Sequence, residues 1–109
     1  MNSSKRKGDK AEREVQAILR EELGVEARRA LGAGRQDDVG DIHGVPLTAV
    51  QVVSWKDVAR AVREKPLECE QQRRRAGATH AATFVRLRGG VWRVVMTPEQ
   101  WATLWREAL

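Results

Sequence analysis

Leu47-Thr48-Ala49-Val50-Gln51-Val52-Val53-Ser54-Trp55 is uncharged and rich in Val, and it is the clearest strand in the chain. Strand alternation puts Gln51, Val53 and Trp55 on one face and Val50, Val52 and Ser54 on the other. Downstream, Val58 to Ala76 reads as a helix ended by Gly77, with a break or fresh start expected at Pro66. Thr79 to Leu87 and Val91 to Met96 read as strands joined through Arg88, Gly89 and Gly90. A last helix follows, with Thr97 as cap, Pro98 at its first position and Gln100 completing a capping box. Trp101, Leu104, Trp105, Ala108 and Leu109 repeat at helical spacing, and the two Trp are expected in the core.

Upstream of the central strand, Gly44, Val45 and Pro46 make a turn after a strand over Val39 to His43. Gly32 to Asp38 is a loop by composition, and Val25 to Leu31 is a short strand. Lys10 to Leu23 is an amphipathic helix with Ala11, Val15, Ile18, Leu19 and Leu23 on one stripe, stopped by Gly24. Residues 1–8 are expected as a flexible basic arm. The order is αβββαββα, a small single α/β domain with a mixed sheet flanked by helices. A length of 109 residues and a mass of 12.3 kDa agree with one domain.

Composition narrows the function classes. Apolar residues are 41% and charged residues 32%, an ordinary globular mixture. No apolar run approaches the roughly 20 residues of a spanning helix, and Met1 to Lys10 lacks a signal peptide's apolar stretch. The single Cys69 makes no internal disulfide, so a cytoplasmic location is expected. The net charge is +5 and the pI about 10.1. Its positive members cluster at Lys5, Arg6 and Lys7, at Arg28, Arg29 and Arg35, at Arg60, Arg63 and Lys65, and at Arg73, Arg74 and Arg75. Arg outnumbers Lys and suits bidentate phosphate contact, the footprint of a nucleic-acid partner. Solvated faces are the alternative for any one cluster.

The segment Lys7-Gly8-Asp9-Lys10-Ala11-Glu12-Arg13-Glu14-Val15 resembles the opening helix of archaeal-type Holliday-junction resolvases, small members of the PD-(D/E)XK nuclease superfamily. Arg28-Arg29-Ala30-Leu31-Gly32, Gly40-Asp41-Ile42, the spacing to the Val-rich third strand and Gly90-Val91-Trp92-Arg93 extend the likeness along nearly the whole chain. It is similar above all to compact phage-encoded versions. The resemblance implies a restriction-endonuclease-like fold, a homodimer, and Mg²⁺ or Mn²⁺ held by acidic residues that hydrolyses DNA phosphodiesters. Carried over, the helix glutamate is Glu12 and the second-strand aspartate is Asp41. Lys5, Arg6, Lys7, Arg28, Arg29 and Arg35 then hold DNA phosphates.

The third strand departs from that pattern. An acidic residue, any residue and lysine are replaced by Gln51, Val52 and Val53. Gln51 keeps a carbonyl oxygen for a metal, and Val53 offers no catalytic group. Lys56 is the nearest substitute, although alternation points it to the opposite face. Each candidate also has a plainer role. Asp9 and Glu12 have the spacing of a helix cap and its return partner, and Asp37 and Asp38 suit a loop that bonds its own backbone. Asp41 suits a turn, and His43, His80 and Cys69 suit packing. Trp55 and Trp92 suit sheet packing, with base stacking as the alternative.

Three functions follow. The first is a DNA-binding protein of the resolvase type, selective for DNA structure, with weak or absent cleavage. The second is an active Mg²⁺-dependent endonuclease on branched DNA, using Glu12, Asp41, Gln51 and Lys56. The third is a protein-contact or inhibitor module presenting the Trp-bearing last helix. Branched or double-stranded DNA is the expected partner, with no membrane and no small-molecule substrate.

Overall fold

The alternating and helical periodicities become a five-stranded mixed sheet with helices on both faces in the computed structural model. Residues 3–30 and 38–109 are described, with side chains from Lys7 onward. Arg35, Asp37, the Gly32-Ala33-Gly34 connection and the side chains of Lys5 and Arg6 lie outside the described residues. The elements are α1 (Ser3–Leu23), β1 (Arg28–Arg29), β2 (Ile42–His43), β3 (Thr48–Val53), α2 (Val58–Ala76), β4 (His80–Leu87), β5 (Val91–Val95) and α3 (Pro98–Glu107). Sheet order follows chain order. Only β3 and β4 pair in parallel, with Gln51 beside Thr83, and α2 is the crossover between them.

The two faces of β3 divide the core. Val50 packs with Val15 and Leu19 of α1, Ile42, Ala82 and Phe84 on one side. Val53 packs with Ala61 of α2 and Val85 on the other. Trp92 reaches the α1 side, where its indole N–H donates to Glu14 at 2.9 Å. Cys69 is buried with Sγ 3.6 and 3.7 Å from the Ala49 and Ala82 carbonyls, and His80 is buried against Glu107 at 2.6 Å, so both serve packing. No helix is long and apolar enough to cross a membrane among the described residues.

Three elements differ from expectation. Helix α1 begins at Ser3 rather than Lys10, so residues 3–8 of the expected arm are helical backbone. Helix α2 runs unbroken through Pro66, which is buried together with Ala61, Cys69 and Gln72. An interior proline costs about 3 kcal/mol. Burying three ring methylenes at about 0.8 kcal/mol each, plus a hydrogen bond of about 1 kcal/mol, offsets that. The bond is from Gln100 Nε2 to the Pro66 carbonyl at 3.1 Å.

The third difference is α3. Its capping box forms as expected, with Thr97 accepting from Gln100 N–H and Gln100 returning to Thr97 N–H. The helix then docks through polar groups, Gln100 on Pro66 and Glu70, and Glu107 on His80. Its apolar side faces outward, leaving Trp101 57%, Leu104 43% and Trp105 50% exposed. The expected core position of the two Trp is therefore wrong. Their stripe lies about a quarter turn from the Gln100 and Glu107 side that the body of the protein holds.

The Arg73 guanidinium beside Glu70 holds its carboxyl below the ordinary value of 4.5; burial opposes this and the Gln100 amide adds to it. A lowered folded-state value stabilises above pH 4.5 and is lost as pH falls through it. Glu70→Gln is expected to flatten the acid limb of the melting temperature, measured from about pH 6 to about pH 2. A limb of unchanged steepness removes Glu70 from the account.

Candidate functional site

Gly40, at φ 119°, starts the site, because a Cβ there would lie 3.0 Å from the Val50 carbonyl oxygen. With no side chain in the way, the next residue closes on β3. Asp41 N–H donates to the Val50 carbonyl at 2.7 Å, and the Asp41 carboxylate accepts the Val52 N–H at 2.8 Å. The side chain thus takes a strand N–H that a longer β2 would have paired. Ile42 is buried in the α1-side core, and Asp41 lies in the bend just before β2.

A cleft of about 630 Å³ opens there. Asp41, Gln51, Glu12 and Lys56 all line it, together with Lys7. Strand β3 ends at Val53 and the chain bends at Lys56, which is exposed and lines the same cleft as Gln51. Asp38 joins the lining too, its carboxylate accepting from Gln72 Nε2 at 2.9 Å, so it is tied to α2 rather than to its own loop alone.

Glu12 and Arg29 serve each other. Arg29 Nε donates to Glu12 at 3.1 Å, its Nη2 donates to Asp9 at 2.7 Å, and its backbone N–H donates to Gln16. Because α1 starts at Ser3, Asp9 and Glu12 lie within the helix and do not cap it. The expected phosphate role of Arg29 meets the same fact, since its guanidinium latches β1 to α1 with side chains about one-fifth exposed. Arg28 is exposed and lines a separate concavity with Arg20 and Glu26.

Glu68, which sequence reasoning passed over, and Lys65, read there only as one of a positive cluster, complete the floor. Glu68 accepts from Gln51 Nε2 at 3.0 Å and from Lys65 Nζ at 2.9 Å, and both α2 residues line the cleft. A signal was present. Val58, Ala61, Lys65, Glu68 and Gln72 recur every three or four residues, so a charged pair and an amide occupy the stripe with which α2 meets the sheet. Lys65 also lies 4.6 Å from the Trp55 ring centroid, and Arg60 lies 5.2 Å from it. Trp55 lines the cleft and packs against the α2-side core.

The cleft is mixed in charge. Lys7, Lys56, Asp57 and Arg60 are exposed among its lining residues, with Arg60 paired to Glu64 at 3.1 Å, and Asp41 and Glu68 are partly buried. Lys65, 2.9 Å from Glu68 and less exposed than it, offsets that carboxylate. The amide oxygens of Gln51 and Gln72, residues 3% and 2% exposed, are buried without a hydrogen-bond partner. Among the described residues, no group of three or more His, Cys, Asp and Glu side chains is arranged to hold a metal ion.

Comparison with protein-family models, with curated proteins and with solved structures finds no match.

Arg29→Ala is expected to destabilise the fold by about 1–3 kcal/mol, because it removes the guanidinium that Asp9 and Glu12 share and that ties β1 to α1, whereas Arg28→Ala changes it by less than about 0.5 kcal/mol. Thermal denaturation of both variants checks this. Equal melting temperatures remove the latch.

Proposed function

We propose that this chain is a DNA-binding protein of the Holliday-junction resolvase type. It engages the phosphates of branched or double-stranded DNA at the cleft, with weak or absent metal-dependent cleavage. The observation that carries the reading is that exposed Lys7, Lys56 and Arg60, with Asp57 among them, line the same recess as Asp41. Such contacts position a backbone without reading bases. Weak cleavage follows from the third strand, where Gln51 lacks the negative charge of an acid and Val53 lacks a proton-handling group. Where Mg²⁺ or Mn²⁺ binds, Asp41 and Gln51 would hold it, and the ion would polarise a phosphate and acidify a water. Glu12 would join them only by giving up Arg29.

A specific observation favours the second reading, an active endonuclease on branched DNA. Glu68 and Lys65 return a carboxylate and an ammonium to the neighbourhood of Gln51. A homodimer belongs to either reading. The outward apolar side of α3, with Trp101, Leu104 and Trp105, is the surface we assign to it.

The deciding experiment is a labelled four-way junction incubated with the protein in EDTA, Mg²⁺ or Mn²⁺, run on native and denaturing gels. Retardation without paired nicks supports the first reading and metal-dependent paired nicks the second. No retardation at low salt discards both. Replacing Lys7, Lys56 or Arg60 by Ala is each expected to reduce the salt slope of binding by about 1. Unchanged slopes move the DNA elsewhere. Trp101→Ser with Trp105→Ser is expected to convert a dimer to a monomer in sedimentation. A monomeric wild-type protein ends the dimer assignment.

A further inference from the structure

We infer that a second, smaller recess beside the cleft binds the terminal phosphate of a nucleic-acid strand. The inference deepens the nucleic-acid reading and rests on it for the class of partner.

The recess, of about 300 Å³, lies where the end of β3, the start of α2 and the turn after β4 meet α1. Its lining carries Lys7, Lys56, Arg86 and Arg88, and no Asp or Glu among the described residues. The cleft next to it is mixed, with Glu12, Asp41 and Glu68 in its walls. Cations gathered in one concave place without carboxylates make a positive potential that no neighbour cancels.

The partners of these cations sharpen the contrast. Lys65 and Arg60 of the cleft are paired with Glu68 and Glu64. Lys7, Lys56 and Arg88 are exposed and in no ion pair among the described residues. Arg86 differs, because Glu14 accepts from its Nε at 3.1 Å and fixes the guanidinium. Glu14 is itself held by the Trp92 indole N–H at 2.9 Å. Gly90 leaves room for the far end of Arg86, since a Cβ there would stand 3.0 Å from Nη2. One fixed arginine fork among three unpaired cations suits the oxygens of a phosphate.

The amount of charge selects the kind of phosphate. Glu14 balances Arg86, which leaves Lys7, Lys56 and Arg88 uncompensated. A phosphodiester carries one negative charge, whereas a phosphomonoester carries about 1.5 to 2 at pH 7. Duplex phosphates are strung along a line, and this recess collects charge at one point. A terminal phosphate and the diester next to it match three cations. Lys7, Ser54, Trp55 and Lys56 line both the recess and the cleft, so a strand that ends in one continues into the other. That continuity favours a strand end over a free nucleotide.

The test is binding of the full chain to a short, internally labelled single strand in EDTA at one salt concentration. Fluorescence anisotropy compares strands with a phosphate at the 5′ end, at the 3′ end and at neither. A phosphate at one of the ends is expected to tighten binding about 10-fold or more. Arg88→Gln, in an exposed turn, is expected to reduce that preference to about 2-fold, while the exposed Arg106→Gln on α3 preserves it. In the wild-type chain the Arg86 and Arg88 Nε–H resonances are expected to shift with the phosphorylated strand alone. That readout needs no variant, so a variant that fails to fold leaves the test standing. Equal affinity for the three strands overturns the site. So does a preference that Arg106→Gln lowers as much as Arg88→Gln. A nucleoside monophosphate that binds as tightly as the phosphorylated strand overturns the strand end as ligand. Junction retardation, run alongside, separates the two claims. Retardation without an end preference sinks the terminal-phosphate site and spares the junction reading, and an end preference without retardation does the reverse.

Discussion

The parallel pairing of β3 with β4 is the constraint on which the rest of this protein depends. A parallel pair needs a crossover, and α2 is that crossover, so the register that sets Gln51 beside Thr83 also brings α2 over both. Once α2 lies there, Val58 and Ala61 close the apolar end of the contact and Lys65, Glu68 and Gln72 make the polar end. The apolar end holds the helix down. The polar end contributes less to packing and leaves a recess, so one helix both anchors the fold and opens its cleft.

Much of the architecture was legible in the sequence because apolar periodicity is a local signal. The Val-rich run gave β3 and its two faces, and Thr97, Pro98 and Gln100 gave the start of α3 without ambiguity. What was not legible came from tertiary packing. Pro66 reads as a break until its ring is buried and its carbonyl is taken by Gln100 from a helix thirty residues away. Trp101 and Trp105 read as core because helical spacing reveals an apolar stripe but not the direction it faces.

The site divides in the same way. Asp41 was singled out by the resemblance alone, and the close approach of Gly40 to Val50 that lets its carboxylate take the Val52 N–H came from the structure. Strand alternation has no hold on Lys56, which lies in a bend three residues past the end of β3. Arg29 looked like a surface cation until Asp9 and Glu12, twenty and seventeen residues earlier, were found to hold it. Glu68 and its pairing with Lys65 were hidden because an i, i+3 charge pair on a helix is ordinarily a solvated one. Only their place on the sheet-facing stripe sets them apart.

The setting of the tryptophans makes the molecule its own optical instrument. Trp101 and Trp105 form a tilted pair 6.3 Å apart in water, and Trp92 is fastened to Glu14. Trp55 alone stands at the cleft, with two cations near its ring. Any occupant that draws Lys65 or Arg60 aside changes the field across that one indole and leaves the other three as a steady background. Emission from Trp55, isolated by difference, reports on the cleft without a label.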